Sequence, residues 1–411
     1  MRQMNTTVNK DERKFSLAML LLTIVTCLGH SKFMVEYMNA TVFAMNYRRG
    51  ISTRGFMGWI LDVVCFIFGE DFYCYKTVFV ISTVGYIIYL AVLWYIAKKF
   101  YKSFDDMGYA MAFVLVVAPF FIDMFLTHEG YGRTDMYLLA LSVVAGYSVL
   151  KGKWMILCVI CPVAAILIHE GYVFDYYNIV IACLLYKCVF NGEKKKSVYI
   201  AWLCISIVAA LTAFVWIYFF SKTVLPISDE IFAGIVKDAE LLAAPGQEVH
   251  IESLRAYVLG EDLTESELTY MADARVALLL FVVMFIPVIK KTWEFIKAVY
   301  NESANKKTVI ILCLGSLSTL PLFIRKCDYG RWMFALISYY IVMMCLLVIA
   351  DNKVVKKVFN EQAMKIARDR WQALFYAVYF MLFIPFQTVY MDNICRNIML
   401  VINGLIQGSY F

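Results

Sequence analysis

The tetrapeptide His-Glu-Gly-Tyr occurs twice, at His128–Tyr131 and His169–Tyr172, in a chain with four histidines in all. Each copy closes an apolar run, "VLVVAPFFIDMFLTHEGY" and "CVICPVAAILIHEGY". An imidazole beside a carboxylate suits proton transfer, and the glycine lets the chain reverse at the end of the run. Other unusual polar clusters are "NYRRGISTRG" (46–55), "THEGYGRTD" (127–135), "IHEGYVFD" (168–175) and "IRKCDYGRW" (324–332). Arginine dominates them. Its planar fork gives paired hydrogen bonds to phosphate oxygens and keeps its charge when partly dehydrated. Arg48, Arg49, Arg54, Arg133, Arg325 and Arg331, with glycines beside them and histidines and carboxylates nearby, suit an anionic, lipid-linked ligand.

Blander readings stand beside this one. "NYRRG" also suits an interfacial anchor, "RKCDYGRW" a tight turn in which Asp328 neutralises the arginines, and His128 and His169 satisfied loop ends. The imidazoles and carboxylates permit a divalent metal. No HExxH or tight ligand spacing calls for one, and no cofactor is expected. No P-loop or GxGxxG points to nucleotide, and nothing points to nucleic acid.

These clusters need elements to position them. The 411 residues are 62% hydrophobic and 17% charged, with mean hydropathy +0.70, well outside the range of soluble domains. Apolar blocks long enough for a bilayer core of roughly 30 Å fall near 15–30, 76–97, 108–127, 135–150, 154–169, 173–190, 198–220, 275–289, 308–324, 331–350 and 372–390. Lipid leaves no partner for open backbone groups, so the expectation is an all-α polytopic protein of about eleven spans. It would be a single membrane domain over 1–411. "NKDERKFSLAMLLLTIVTCLGHSKF" lacks a small-residue cleavage site and reads as a retained first span.

The loops "NKDERK", "AKKFYK", "KGK", "NGEKKK", "IKKTWEFIK" and "DNKVVKK" alternate with the others, which places them and the N-terminus in the cytoplasm. Nine of the 13 arginines then lie outside. Topology alone does not explain that enrichment, and all the arginine clusters fall on one face. Within the outward region 31–75, "GFMGWILDVVCFIFG" is short and glycine-bounded, as an in-plane or re-entrant helix would be. The second long outward region, 221–274, is acidic, helix-prone and broken at Pro245-Gly246, as a lid would be. Twelve cysteines, mostly inside apolar runs, suggest no disulfide framework, although Cys65, Cys74, Cys327 and Cys395 lie where one bridge is allowed.

In layout the chain resembles the polyprenyl-linked-sugar glycosyltransferases of the GT-C kind, including Wzy-type O-antigen and capsule polymerases. The likeness lies in the many spans, the arginine-rich outward loops carrying "NYRRG", "HEGY…RTD" and "DYGRW", the acid-bearing first outward loop and the late outward loop. It implies glycosyl transfer at the outer face of a bacterial plasma membrane, from an undecaprenyl-diphosphate glycan to a sugar hydroxyl on another lipid-linked glycan. Under that resemblance the six arginines hold the diphosphate. Glu129, Glu170, Asp328, His128 and His169 compete as catalytic base, and Glu36, Asp135, Tyr131, Tyr172 and Trp332 position substrate. The rivals are a transporter or flippase for a lipid-linked or anionic substrate, which needs a polar path to both faces, and a membrane O-acyltransferase.

Overall fold

The computed structural model describes residues 2–29, 33–50, 53–104, 107–126, 130–190, 193–221, 227–247, 251, 254–255, 258, 265–325 and 329–382. Among these the chain is helical, with no strand. The helices are α1 (Arg2–Gly29), α2 (Tyr37–Ala44), α3 (Phe56–Phe68), α4 (Tyr75–Tyr101), α5 (Met107–Asp123), α6 (Asp135–Lys151), α7 (Leu157–Ile168), α8 (Tyr172–Asp175), α9 (Tyr177–Phe190) and α10 (Glu193–Val215). They continue as α11 (Asp229–Leu242), α12 (Glu265–Glu302), α13 (Lys307–Thr319), α14 (Leu322–Arg325), α15 (Tyr329–Ile349), α16 (Lys353–Arg368) and α17 (Arg370–Leu382).

Among the described residues, three helical segments are long and apolar enough to cross a membrane: Tyr75–Tyr101, Lys196–Phe220 and Gly330–Ile349. Shorter apolar helices occupy Phe56–Phe68, Gly108–Asp123, Leu157–Ile168, Tyr177–Phe190 and Lys307–Thr319. Large apolar side chains stay exposed along whole helix faces: Leu17, Leu21 and Leu28 on α1, Val80, Val84 and Ile88 on α4, Val208, Leu211 and Val215 on α10. Leaving such area in water costs about 25 cal/mol per Å², so these faces suit lipid. At the centre, α6 and α15 are buried along most of their length, through Leu138, Leu139, Val143, Phe334, Tyr339 and Leu346.

Breaks in the helices are repaired by hydroxyls. Pro162 cannot bond the carbonyl of Cys158, and Ser206 Oγ on α10 donates to it at 2.6 Å, with Tyr177 Oη 2.9 Å from the same hydroxyl. Between α8 and α9 the chain kinks at Tyr176. The Phe174 carbonyl there accepts from Ser318 Oγ and Thr319 Oγ1, at 3.0 and 2.9 Å. The expected continuous span 173–190 is therefore two helices, and α13 fixes the angle between them.

Within 31–75, α2 and α3 pack so closely that a Cβ on Gly58 would fall onto the Met45 carbonyl oxygen. Backbone meets backbone there, so Gly58→Ala forces the helices apart. Its expected cost is about 1–3 kcal/mol, read as a lower unfolding temperature in detergent. α11 rests on α2, and bonds flank that contact: Tyr73 Oη, just before α4, donates to Asp238 Oδ2 on α11 at 2.9 Å, and the Tyr37 N–H of α2 to Gln247 Oε1, beyond α11, at 2.9 Å. Gly246, at φ +83°, makes the turn after this helix, a conformation that favours glycine.

Candidate functional site

One end of the bundle gathers charge from five segments. Arg54 precedes α3, Asp135 opens α6, His169 and Glu170 follow α7, Asp175 and Tyr176 form the α8–α9 kink, and Arg331 lies in the first turn of α15. Arg54 has φ +67°, a left-handed backbone unusual for a side chain of this size, a strain of the kind that persists where surroundings enforce it. The fork this produces is two-pronged. Nη2 meets Glu170 Oε1 at 2.8 Å and Nε meets Oε2 at 3.2 Å, with both side chains largely buried. Burial pushes the Glu170 carboxyl upward, but the Arg54 guanidinium and His169 outweigh it and hold the group well below the usual carboxylate range.

His169 joins this pair to a second one. Its Nδ1 accepts the Gly171 N–H at 2.9 Å, and its Nε2 lies 3.2 Å from Arg331 Nη2. Arg331 Nε donates to Asp135 Oδ1 at 2.7 Å, and Asp135 is only 2% exposed. A neutral imidazole has one lone pair, yet two donors meet the ring. Tyr176 is completely buried, within electrostatic range of Asp135, Asp175 and Arg331. Among the described residues its hydroxyl has no hydrogen-bond partner, a costly arrangement for a buried phenol. On the flank, Arg48 Nε reaches Asp62 Oδ2 on α3 at 3.1 Å, with Arg48 half exposed.

Of the residues singled out from sequence, Arg54, Asp135, His169, Glu170 and Arg331 thus come together, and Arg48, in the turn Tyr47–Arg49, pairs with Asp62 on the neighbouring α3. Glu36 sits just before α2, its carbonyl accepting from the Ala40 N–H at 2.8 Å. Arg133 is half-buried in the turn before α6. Tyr131, Tyr172 and Trp332 are core residues. The Tyr131 hydroxyl is 2.6 Å from Thr83 Oγ1, Ser142 Oγ donates to the Tyr172 hydroxyl at 2.9 Å, and Trp332 packs edge-on against Phe323. His128, Glu129 and Asp328 lie outside the described residues, as do the side chains of Arg49 and Arg325. Cys65 and Cys74 are free thiols. No group of three or more metal-ligating side chains occurs among the described residues.

Sequence reasoning passed over Tyr176 and the role of Asp62. Tyr176 stands in "FDYYN", where a tyrosine pair reads as an interfacial belt. Asp62 stands in "GWILDVVCF", a charge inside an apolar run where nothing local names Arg48 as its partner. Compared with protein-family models, with curated proteins and with solved structures, the chain matches none.

Proposed function

We propose that this chain is an integral membrane glycosyltransferase of the polymerase type, with about eleven spans and a GT-C-like layout. It would transfer a glycan from a polyprenyl-diphosphate carrier to a sugar hydroxyl at the extracytoplasmic face of a bacterial plasma membrane, in surface polysaccharide synthesis. The observation that carries this reading is the convergence of Arg54, Glu170, His169, Arg331, Asp135 and Tyr176, whose hydroxyl has no hydrogen-bond partner among the described residues, at one end of an apolar bundle.

In the reaction, the acceptor oxygen bonds to the anomeric carbon while the bond from that carbon to the diphosphate breaks. The acceptor proton passes to a base, and the leaving diphosphate takes the electron pair. Arg331 and Arg54, aimed by Asp135 and Glu170, offset the charge that grows on the phosphate oxygens. Glu170 is held ionised by Arg54 and is a weak base, so its part is to orient that arginine. His169 is the described group suited to take the proton. A phosphate oxygen that draws Nη2 of Arg331 away uncovers Nε2, and with the ring proton moved to Nδ1, which then gives up the Gly171 N–H, the lone pair on Nε2 faces the acceptor hydroxyl.

The test is to mix purified protein in liposomes with a polyprenyl-diphosphate oligosaccharide. The expected products are a ladder of longer glycans, with one polyprenyl diphosphate released for each glycosidic bond formed. Movement of intact substrate across the bilayer without elongation would make the chain a flippase instead.

A further inference from the structure

At the end of the bundle away from Arg331, α5, α12, α15, α16 and α17 enclose an apolar groove of about 260 Å³. Val116, Phe295, Met344, Ala363 and Tyr376 each line it from a different helix. Along α15 the lining runs from Ile337 to Met344, a rise of about 10 Å. The neighbouring face of α17 presents Leu374, Phe375 and Val378 to the outside, so the groove lies beside a surface fit for lipid. α16 closes one end. It is a two-faced helix, burying Val355, Val358 and Phe359 while Lys353, Lys357, Lys365 and Arg368 point outward, and Asn352 caps it through a 3.0 Å bond from the Val355 N–H.

The groove has a basic rim. Lys291 lines it and pairs with Glu294 at 2.8 Å. Lys290, on the same helix, and Lys365, from α16, act on that same carboxylate. Lys291 is thus the contact partner of that carboxylate, with Lys290 and Lys365 acting on it at longer range from exposed positions. Glu361 and Asp369 share an exposed hollow on α16 with Lys365 and Arg368, so the charges there balance, and the surplus at the rim is that of Lys290 and Lys291 over Glu294. Gln362, Thr292 and the Tyr109 hydroxyl add neutral donors among the lining residues. A straight alkyl chain matches the cavity, and a phosphate matches the surplus positive charge.

We propose that this groove is a binding site for one alkyl chain of an anionic glycerophospholipid, whose phosphate is met by Lys290, Lys291 and Lys365. Juxtamembrane lysines attract anionic headgroups, and a chain seated between α12 and α16 would brace the amphipathic helix against the bundle. The site is independent of the chemistry at Arg331 and stands whatever reaction occurs there.

Photoactivatable phosphatidylglycerol and phosphatidylcholine carrying the same labelled acyl chain, each at low fraction in phosphatidylcholine vesicles holding the full chain, give the test. Phosphatidylglycerol is expected to label Phe295, Met344 and Ala363 in preference to phosphatidylcholine. Lys290→Gln and Lys365→Gln, both at exposed positions, should each lower that preference by about fivefold. Ala363→Trp should remove groove labelling with all lysines intact. Equal labelling by the two headgroups would reduce the groove to a filler for any lipid chain and overturn the proposal. So would displacement by a polyprenyl phosphate but not by phosphatidylglycerol, or crosslinks from the groove to a second copy of the chain.

Discussion

Arg331→Lys is expected to abolish glycan elongation while the protein still inserts and folds. Arginine reaches two neighbours at once, Asp135 through Nε and His169 through Nη2. A lysine ammonium is a single point on a flexible stem and cannot hold a fork to a phosphate while keeping Asp135 satisfied. Losing one group aimed at developing charge costs about 10²–10³ in rate. The measurement is turnover in the liposome assay, at matched protein level and with gel-filtration behaviour unchanged. Activity within a few-fold of wild type would remove Arg331 from the phosphate grip. The same substitution at Arg49 is expected to stop elongation in a complementation assay.

The second large effect concerns stability. Arg54→Met leaves the Glu170 carboxylate buried without its fork, and Glu170→Gln leaves the guanidinium with a neutral partner. Breaking a buried pair from one side costs about 3–5 kcal/mol. The double variant should recover part of that loss, because neither charge then remains alone, and a double-mutant cycle on unfolding in detergent reads the coupling. The pH dependence has a definite sign. Glu170 titrates below its ordinary value of 4.5 in the folded chain. The stabilisation is therefore complete above that pH and is lost only as acid brings the folded group through its lowered pKa. Wild type should accordingly lose stability below pH 4.5 more steeply than Glu170→Gln. Equal slopes would mean that the pair contributes nothing to folding.

Much of the helical frame was legible because lipid-length apolar runs allow little else. The segments 76–97, 135–150 and 331–350 lie almost wholly within α4, α6 and α15. The kink at Tyr176 was not legible, since neither glycine nor proline marks it and the hydroxyls that fix it come from Ser318 and Thr319, far along the chain. α16 was readable in principle. Its apolar residues Val355, Val358, Phe359 and Ile366 recur at helical spacing, but the lysines between them read as a cytoplasmic loop. At the site, residue types were legible and partnerships were not. Arg54 and Glu170 each stood out, whereas nothing local in "STRG" or "IHEGY" says that one fork closes on the other. Such pairings are set by which helix ends meet, and one sequence carries no direct record of that.

The distances along the chain between these partners have a consequence for biogenesis. Arg54 is synthesised 116 residues before Glu170, and Asp135 196 residues before Arg331. Each early charge therefore leaves the ribosome before its counterion has been made. The settings of α3 and of the start of α6 are therefore completed only when later helices arrive, and a nascent chain halted before Arg331 would hold Asp135 without that guanidinium.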